Sequence, residues 1–143
     1  MFVKQISVFI ENTPGRLAEV TRILAANNID LVSLSIADTT NFGILRGIVA
    51  EPEKTAALLS EHGYTVKLTD VLAVYVPDKP GGLAQILTML SNERIALEYL
   101  YSFVRNANDF ALIIFRVDQP QAARTLLTQA GVKLLTQRDI AAL

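Results

Sequence analysis

The sequence predicts an α+β protein in which one βαββαβ unit occurs twice. Three observations support this prediction: an internal repeat, a regular change from strand to helix periodicity within each copy, and a composition rich in apolar residues. Of 143 residues, 51% are hydrophobic and 19% are charged, which excludes a disordered chain. The net charge of -1 lacks the basic excess that neutralises nucleic-acid phosphates.

The repeat is centred on a Pro-Gly pair. Pro14 and Gly15 recur as Pro80 and Gly81, 66 residues later (80 minus 14). Further landmarks recur at offsets of 66 or 68 (110 minus 42): Leu24 and Leu90, Ile29 and Ile95, Phe42 and Phe110, Pro52 and Pro120, and Gly63 and Gly131. We therefore predict two homologous domains, 1–69 and 70–143, joined near 67–70 by a stiff segment without a Gly, Pro or Ser-rich spacer.

In each copy, the spacing of the apolar residues changes between that of a strand and that of a helix in the same order. Ile6, Val8 and Ile10 alternate with Gln5, Ser7 and Phe9, as in a strand that packs on one side. The elements predicted after it are a helix opened by Pro14, strands at 29–37 and 42–50 with a turn at 38–41, a helix opened by Pro52, and a strand at 64–68. The second copy repeats this order with its turn at 105–109. Such units form an antiparallel sheet with both helices on one face, the ferredoxin-like arrangement.

The sheet face away from the helices is expected to be apolar. In the second copy we expect it to carry Ala73, Tyr75, Ile113, Phe115 and Val117. A whole sheet face of this kind is too apolar to meet water, so we expect it to be covered by another domain or chain. A homodimer that also buries free strand edges is therefore predicted.

The segment 11–17, at the end of the first strand of such a unit and followed by 28–31 at the start of the second, closely resembles the ACT domain. The resemblance extends over essentially the whole chain, twice. It implies a regulatory domain pair that binds a small effector, usually an amino acid, where the Pro-Gly loop of one unit meets the second strand of another. It does not imply catalysis.

Physical chemistry also favours a ligand at the first Pro-Gly loop. The first amides of a helix lack helical partners and lie at the positive end of its dipole, so they suit a carboxylate. Asn12 can donate to a carboxylate or accept from an ammonium, and Asp30 on the second strand can hold the ammonium. Alternatively, Asn12 ties down the loop and Asp30 is a solvated strand end. The predicted site of the first copy comprises Asn12, Pro14, Gly15, Arg16, Leu17, Asp30 and Leu31.

The second loop differs in charge. Asp78 replaces Asn12 and would repel a carboxylate unless it turns toward an ammonium or a helix amide, and Ala96 replaces Asp30. Glu98 is either a substitute cation partner or a solvated strand residue. The site here is therefore expected to be altered or empty, and its predicted residues are Asp78, Gly81, Gly82 and Leu83.

Other functions have weaker support. RNA-recognition domains share the βαββαβ order and stack bases on strand aromatics, here Tyr75 and Phe115, but 46–50 lacks the aromatic pattern. No cysteine is present, and His62, the single histidine, ends a helix, so no nucleophile relay or recurrent metal spacing is found.

We predict a cytoplasmic, non-catalytic sensor with no cofactor, metal, nucleic-acid or membrane partner. It binds an amino acid or a related small carboxylate at the Pro-Gly loops at the junction between units and signals to a separate enzyme or regulator. The alternative is an adaptor that grips a protein partner through its apolar sheet face.

Overall fold

A computed structural model describes residues 2–38, 41–103 and 109–143. Its elements are β1 Val3–Glu11, α1 Arg16–Ala26, β2 Ser33–Asp38, β3 Phe42–Ile48, α2 Pro52–Glu61, β4 Thr65–Pro77, α3 Gly82–Asn92, β5 Leu97–Ser102, β6 Phe110–Val117, α4 Pro120–Gln129, β7 Leu134–Leu135 and α5 Gln137–Ala141. The order confirms a βαββαβ unit that occurs twice. The predicted turns at 38–41 and 105–109 lie largely outside the described residues.

The chain divides into two compact units. We call Lys4–Thr69 with Ile140–Leu143 the first unit, and Phe2, Val3 and Asp70–Asp139 the second unit. The strand β4 runs without interruption through 67–70, the predicted joint. Whether 1–69 and 70–143 fold as independent domains stays a prediction.

The first unit has the strand order β2-β3-β1, with antiparallel pairs. Its core combines alternate residues of β1 with one face of each helix. The buried members are Ile6, Val8 and Ile10 from β1, Val20 and Leu24 from α1, Leu59 from α2, and Leu45 and Val49. Because both helices contribute to one core against β1, they lie on the same face of the sheet, as predicted.

The second unit has the order β5-β6-β4-β7 and the same layering. The prediction that Ile113, Phe115 and Val117 face away from the helices is wrong, since all three belong to the core with Ile86 and Leu127 of the helices. The reason is the register of β4 and β6. In an antiparallel pair, residues directly opposite each other share a face of the sheet. Phe115 lies opposite Leu72 and Ile113 lies opposite Val74, and all four belong to the core. Tyr75 pairs with Leu112 on the other face.

Paired turns confirm the internal repeat. Positive φ angles occur in equivalent places: 89° and 87° at Gly15 and Gly81, 87° and 80° at Gly63 and Gly131, and 56° and 55° at Asn28 and Arg94. In the Schellman motif, a residue in left-handed conformation ends the helix, and the amide of the next residue donates a hydrogen bond to a carbonyl of the last helical turn. Here the amide of Ile29 donates to the carbonyl of Leu24 at 2.9 Å.

Two predicted strand boundaries are wrong, and this helix ending explains the first of them. The predicted strand 29–37 begins only at Ser33, because Ile29 completes the cap of α1, and the predicted strand 42–50 ends at Ile48. The helix α5 was not predicted. It begins with a capping box in which Thr136 and Asp139 exchange hydrogen bonds of 2.7 and 3.2 Å. Within the described ranges, no helix is both long and apolar enough to cross a bilayer.

Candidate functional site

The two Pro-Gly loops have the same backbone. We call 12–17 the first corner and 78–83 the second corner. At the first, the amide of Asn12 donates to the carbonyl of Asn41 at 3.1 Å, and at the second, the amide of Asp78 donates to Asp109 at 2.8 Å. The next amide in each loop donates two residues back, at 2.8 and 2.9 Å. These shared hydrogen bonds hold both corners at the end of the unit's first strand.

Each corner presents free amides at the start of a helix. Gly15 and Gly81 are the N-caps in left-handed conformation, and neither has a side-chain cap. Pro14 and Pro80 lie before the caps, so the prediction that they open the first turn is wrong. The amides of Leu17 and Ala18, and of their equivalents Leu83 and Ala84, have no hydrogen-bond partner within the described part of the chain. These amides suit an anion.

Asn12 is already engaged within the first unit. Its Nδ2 donates to Oδ1 of Asp38 at 3.1 Å. This contact fits the alternative in which Asn12 ties down the loop, and it leaves Oδ1 of Asn12 as an acceptor. Sequence reasoning missed Asp38, which reaches the corner because it pairs with Gly43 and Gly43 pairs with Ile10.

Asp30 and Leu31 lie elsewhere in the first unit. The prediction that Asp30 is carried on the second strand is wrong, since β2 begins at Ser33. Both β1 and β2 are antiparallel to β3, so the start of β2 lies at the far end of α1 from the first corner, roughly 16 Å along the helix axis. Leu31 is half-buried against the core. Within this unit, the structure therefore does not bring Asp30 to Asn12.

Each unit contains a cavity: Arg16 of the first corner lines the cavity of the first unit, whereas the residues that line the cavity of the second unit flank the second corner without belonging to it. The first cavity, of about 240 Å³, is lined by Phe9, Ile10, Glu11, Arg16, Phe42, His62, Gly63, Tyr64 and Thr65. The second cavity, of about 470 Å³, is lined by Tyr75, Pro77, Gln85, Ile86, Met89, Phe110, Ala130, Gly131, Val132 and Lys133. At the repeat offsets the two linings largely correspond, so these are equivalent places in the two units.

The first cavity contains a network of charged and polar side chains. The Arg16 guanidinium lies 3.6 Å from Glu11 and 3.9 Å from Glu19, and the Tyr64 hydroxyl donates to Glu19 at 2.7 Å. The hydrogen bond with Tyr64, followed by the charge of Glu11, raises the pKa of Arg16. Arg16, predicted as a ligand residue, is thus paired with acidic groups of its own unit.

Tyr64 should ionise at a higher pH than a tyrosine in water does. Burial, reinforced by the hydrogen bond to Glu19, raises its pKa above the ordinary 10.0, and the charge of Arg16 only partly opposes this. Because the folded state holds this proton more tightly, its contribution to stability is present below pH 10 and is lost as pH rises through the folded-state pKa. In an absorbance titration, Tyr64→Phe should lose a component that ionises above pH 10 in the unmodified protein, and an unchanged curve above pH 10 would contradict the assignment.

The second cavity replaces that network with apolar groups. Gly82 stands at the position of Arg16, Gln85 at that of Glu19, and Val132 at that of Tyr64. The rings of Tyr75 and Phe110 meet edge to face, with centroids 6.1 Å apart and planes at 88°. Sequence reasoning assigned none of the residues that line this cavity to a ligand site, although aligning Tyr64 with Val132 would have shown the change in polarity.

Two further residues have structural partners. His62 is the C-cap of α2, and its Nδ1 lies 3.0 Å from the carbonyl of Leu58, in line with the structural role predicted for it. Glu98 pairs with Arg116 at 3.4 Å. The RNA-binding alternative loses one of its stacking aromatics because Phe115 is fully buried under the helices.

Comparison with known proteins agrees with this architecture. No curated protein matched the chain in sequence. Protein BT0572 from Bacteroides thetaiotaomicron shares 40% identity, with coverage of 100% of this chain and 98% of that chain and a TM-score of 0.93. The ligand-free regulatory subunit of aspartate kinase from Thermus thermophilus shares the fold at 17% identity, with coverage of 91% and 93% and a TM-score of 0.65. The ACT domain pair family matches residues 1–143, and the chain belongs to this family.

Proposed function

We propose that this protein is a non-catalytic sensor that binds an amino acid or a related small carboxylate at its corners. The observation that carries the proposal is the duplicated corner, in which two amides at the start of a helix have no partner among the described residues, in units that each contain a cavity. Free amides at a helix start stabilise a carboxylate through hydrogen bonds and the helix dipole. Membership of the ACT domain pair family supports a binding role for this site.

The remaining parts of the proposal concern partners. The aspartate kinase relative is a regulatory subunit, and we extend that role to this chain as a proposal: it signals to a separate enzyme or regulator, in the cytoplasm and as a homodimer. Asn12, Asp30 and Asp78 remain proposed ligand residues. Ligand binding can signal only if it favours one conformation over another, so the receiving protein must distinguish those conformations.

A thermal-shift screen of the twenty amino acids and their 2-oxo analogues tests the proposal. Ligand at 100 times its Kd should stabilise the protein by roughly 2.7 kcal/mol. In Asn12→Ala the shift should shrink. Asn27→Ala is the matched control, because Asn27 also makes one side-chain hydrogen bond on α1, 2.9 Å to Ile23, but at the far helix end.

An unchanged response in Asn12→Ala would remove Asn12 from the site. A screen without any stabilising compound would overturn the sensor proposal. In that case the adaptor alternative predicts a stable complex with a protein partner. The exposed aromatics Phe9 and Phe42, 43% and 52% accessible, are the surface that such a partner would cover.

A further inference from the structure

The second cavity differs from the first in what it can hold. In the first cavity, Arg16 pairs with Glu11 and Glu19, and Tyr64 donates to Glu19. A ligand there would have to break these contacts. The second cavity has about twice the volume, ≈ 470 against ≈ 240 Å³, which places it within the usual range of roughly 300–1,000 Å³ for ligand pockets.

Among the described residues that line the second cavity, Lys133 is the single charged one. Its Nζ lies 4.7 Å from the centroid of the Tyr75 ring, which holds the ammonium over the aromatic face. The charge of Lys133 helps to lower the pKa of Asp139, but across the described residues no carboxylate lies within ion-pair distance of Lys133, and Asp139 is engaged by Thr136 at the start of α5. This ammonium is therefore available to a ligand carboxylate.

The rest of the lining is suited to an apolar body. Ile86 is almost fully buried at 3% exposure, and Met89 is half-buried beside it. Tyr75 and Phe110 form the aromatic wall, and Val132 closes the side on which the first unit has Tyr64. Burying a branched or aromatic side chain against these groups stabilises a complex through the hydrophobic effect.

In the part of the chain that the structure describes, no acidic side chain lines the second cavity to receive an ammonium. A cationic group loses its hydration on entering such a site and gains no ion pair in return. A neutral 2-oxo group does not carry this cost, and the Gln85 side-chain amide can donate to it. The charge of the lining therefore favours a monoanion over a zwitterion.

We propose that the second cavity binds a 2-oxo acid with a branched or aromatic side chain, with its carboxylate on Lys133, in preference to the corresponding amino acid. The inference rests on the proposed function because it names the ligand class of the second unit, but it places the carboxylate on Lys133 rather than on the free amides of the second corner. It also reverses the expectation from sequence, in which the first unit held the better site.

The chain offers a direct probe, since its two methionines are Met1 and Met89. With ¹³C-methyl methionine labelling, 4-methyl-2-oxopentanoate should shift the Met89 signal saturably and leave the Met1 signal in place. Leucine has the same side chain and should bind at Met89 about tenfold or more weakly, a difference that reports the ammonium. Lys133→Gln should weaken the 2-oxo acid at least about fivefold by removing its counterion, whereas Lys54→Gln, an exposed lysine of the first unit, should not.

The outcomes separate this inference from the function on which it rests. Equal affinity for leucine and its 2-oxo analogue at Met89, or an unchanged affinity in Lys133→Gln, would overturn the ligand class. Amino-acid binding that shifts the amides of Leu17 and Ala18 but never the Met89 methyl would keep the sensor proposal and overturn the second cavity as its site. No binding of either compound class would remove both.

Discussion

Replacing Phe115 by alanine should lower the free energy of unfolding by about 3–5 kcal/mol, the usual cost of emptying a large aromatic site in a core. Phe115 heads the fully buried side chains by volume, with 0% exposure. It lies opposite Leu72 in the sheet and packs in the core that both helices of the second unit cover. A loss of this size is a large part of the roughly 5–15 kcal/mol that stabilises a typical domain.

Urea unfolding of Phe115→Ala, with Phe110→Ala as control, measures this effect. Phe110 belongs to the same strand but is 43% exposed, so its loss should cost about 1 kcal/mol or less. Similar midpoints for the two variants would place Phe115 at the surface. That result would also restore the aromatic face on which the RNA-binding alternative depended.

Replacing Gly82 by alanine should destabilise the protein by about 2 kcal/mol or more, as overpacking of a rigid site does. A Cβ at Gly82 would overlap the carbonyl oxygen of Pro77, a backbone atom that cannot rotate away. The same carbonyl accepts the amide of Lys79 at 2.9 Å, so any relief must move the second corner. We therefore expect Gly82→Ala to weaken ligand binding at the second unit as well as stability.

Gly81→Ala is the matched control one residue earlier. Its φ of +87° strains an alanine, but nothing lies within 4 Å of the added Cβ, so the expected cost is about 1 kcal/mol. Denaturation midpoints for the two variants decide between strain and overlap. If Gly82→Ala cost no more than Gly81→Ala, the close approach of Pro77 would be refuted.

Arg16→Ala, at the equivalent position of the first unit, should cost little stability because its ion pairs are exposed.

The accuracy of the sequence-based predictions depended on how local each feature is. The repeat, the strand β1 and the helix start at Pro52 follow from patterns in the sequence itself, and the structure confirms them. The expectation that β1 packs on one side was wrong, because Gln5 and Ser7 are buried as well as Ile6 and Val8. The start of β2 was wrong because Ile29 caps α1 rather than beginning a strand. Asp30 precedes β2, so its predicted place on that strand was wrong as well, while its role as a ligand residue stays a proposal.

The predicted face of β6 was wrong for a different reason. An alternating strand has two equivalent phases, and a shift of one residue exchanges its faces. The run from Phe110 to Val117 is apolar almost throughout, so its own pattern cannot choose between those phases. The choice follows from its register with Leu72 on β4.

Sequence alone therefore determined the duplicated architecture, the family and the position of both corners, because turn chemistry and hydrophobic period act over a few residues. Only the tertiary structure decided what occupies the space beside each corner. The hydrogen bond from Tyr64 to Glu19 joins residues 45 positions apart. Lys133 lies over the ring of Tyr75, although α3, β5, β6 and α4 separate the two residues in the sequence. Contacts between distant segments depend on strand register and helix packing, and these set the polarity of a cavity.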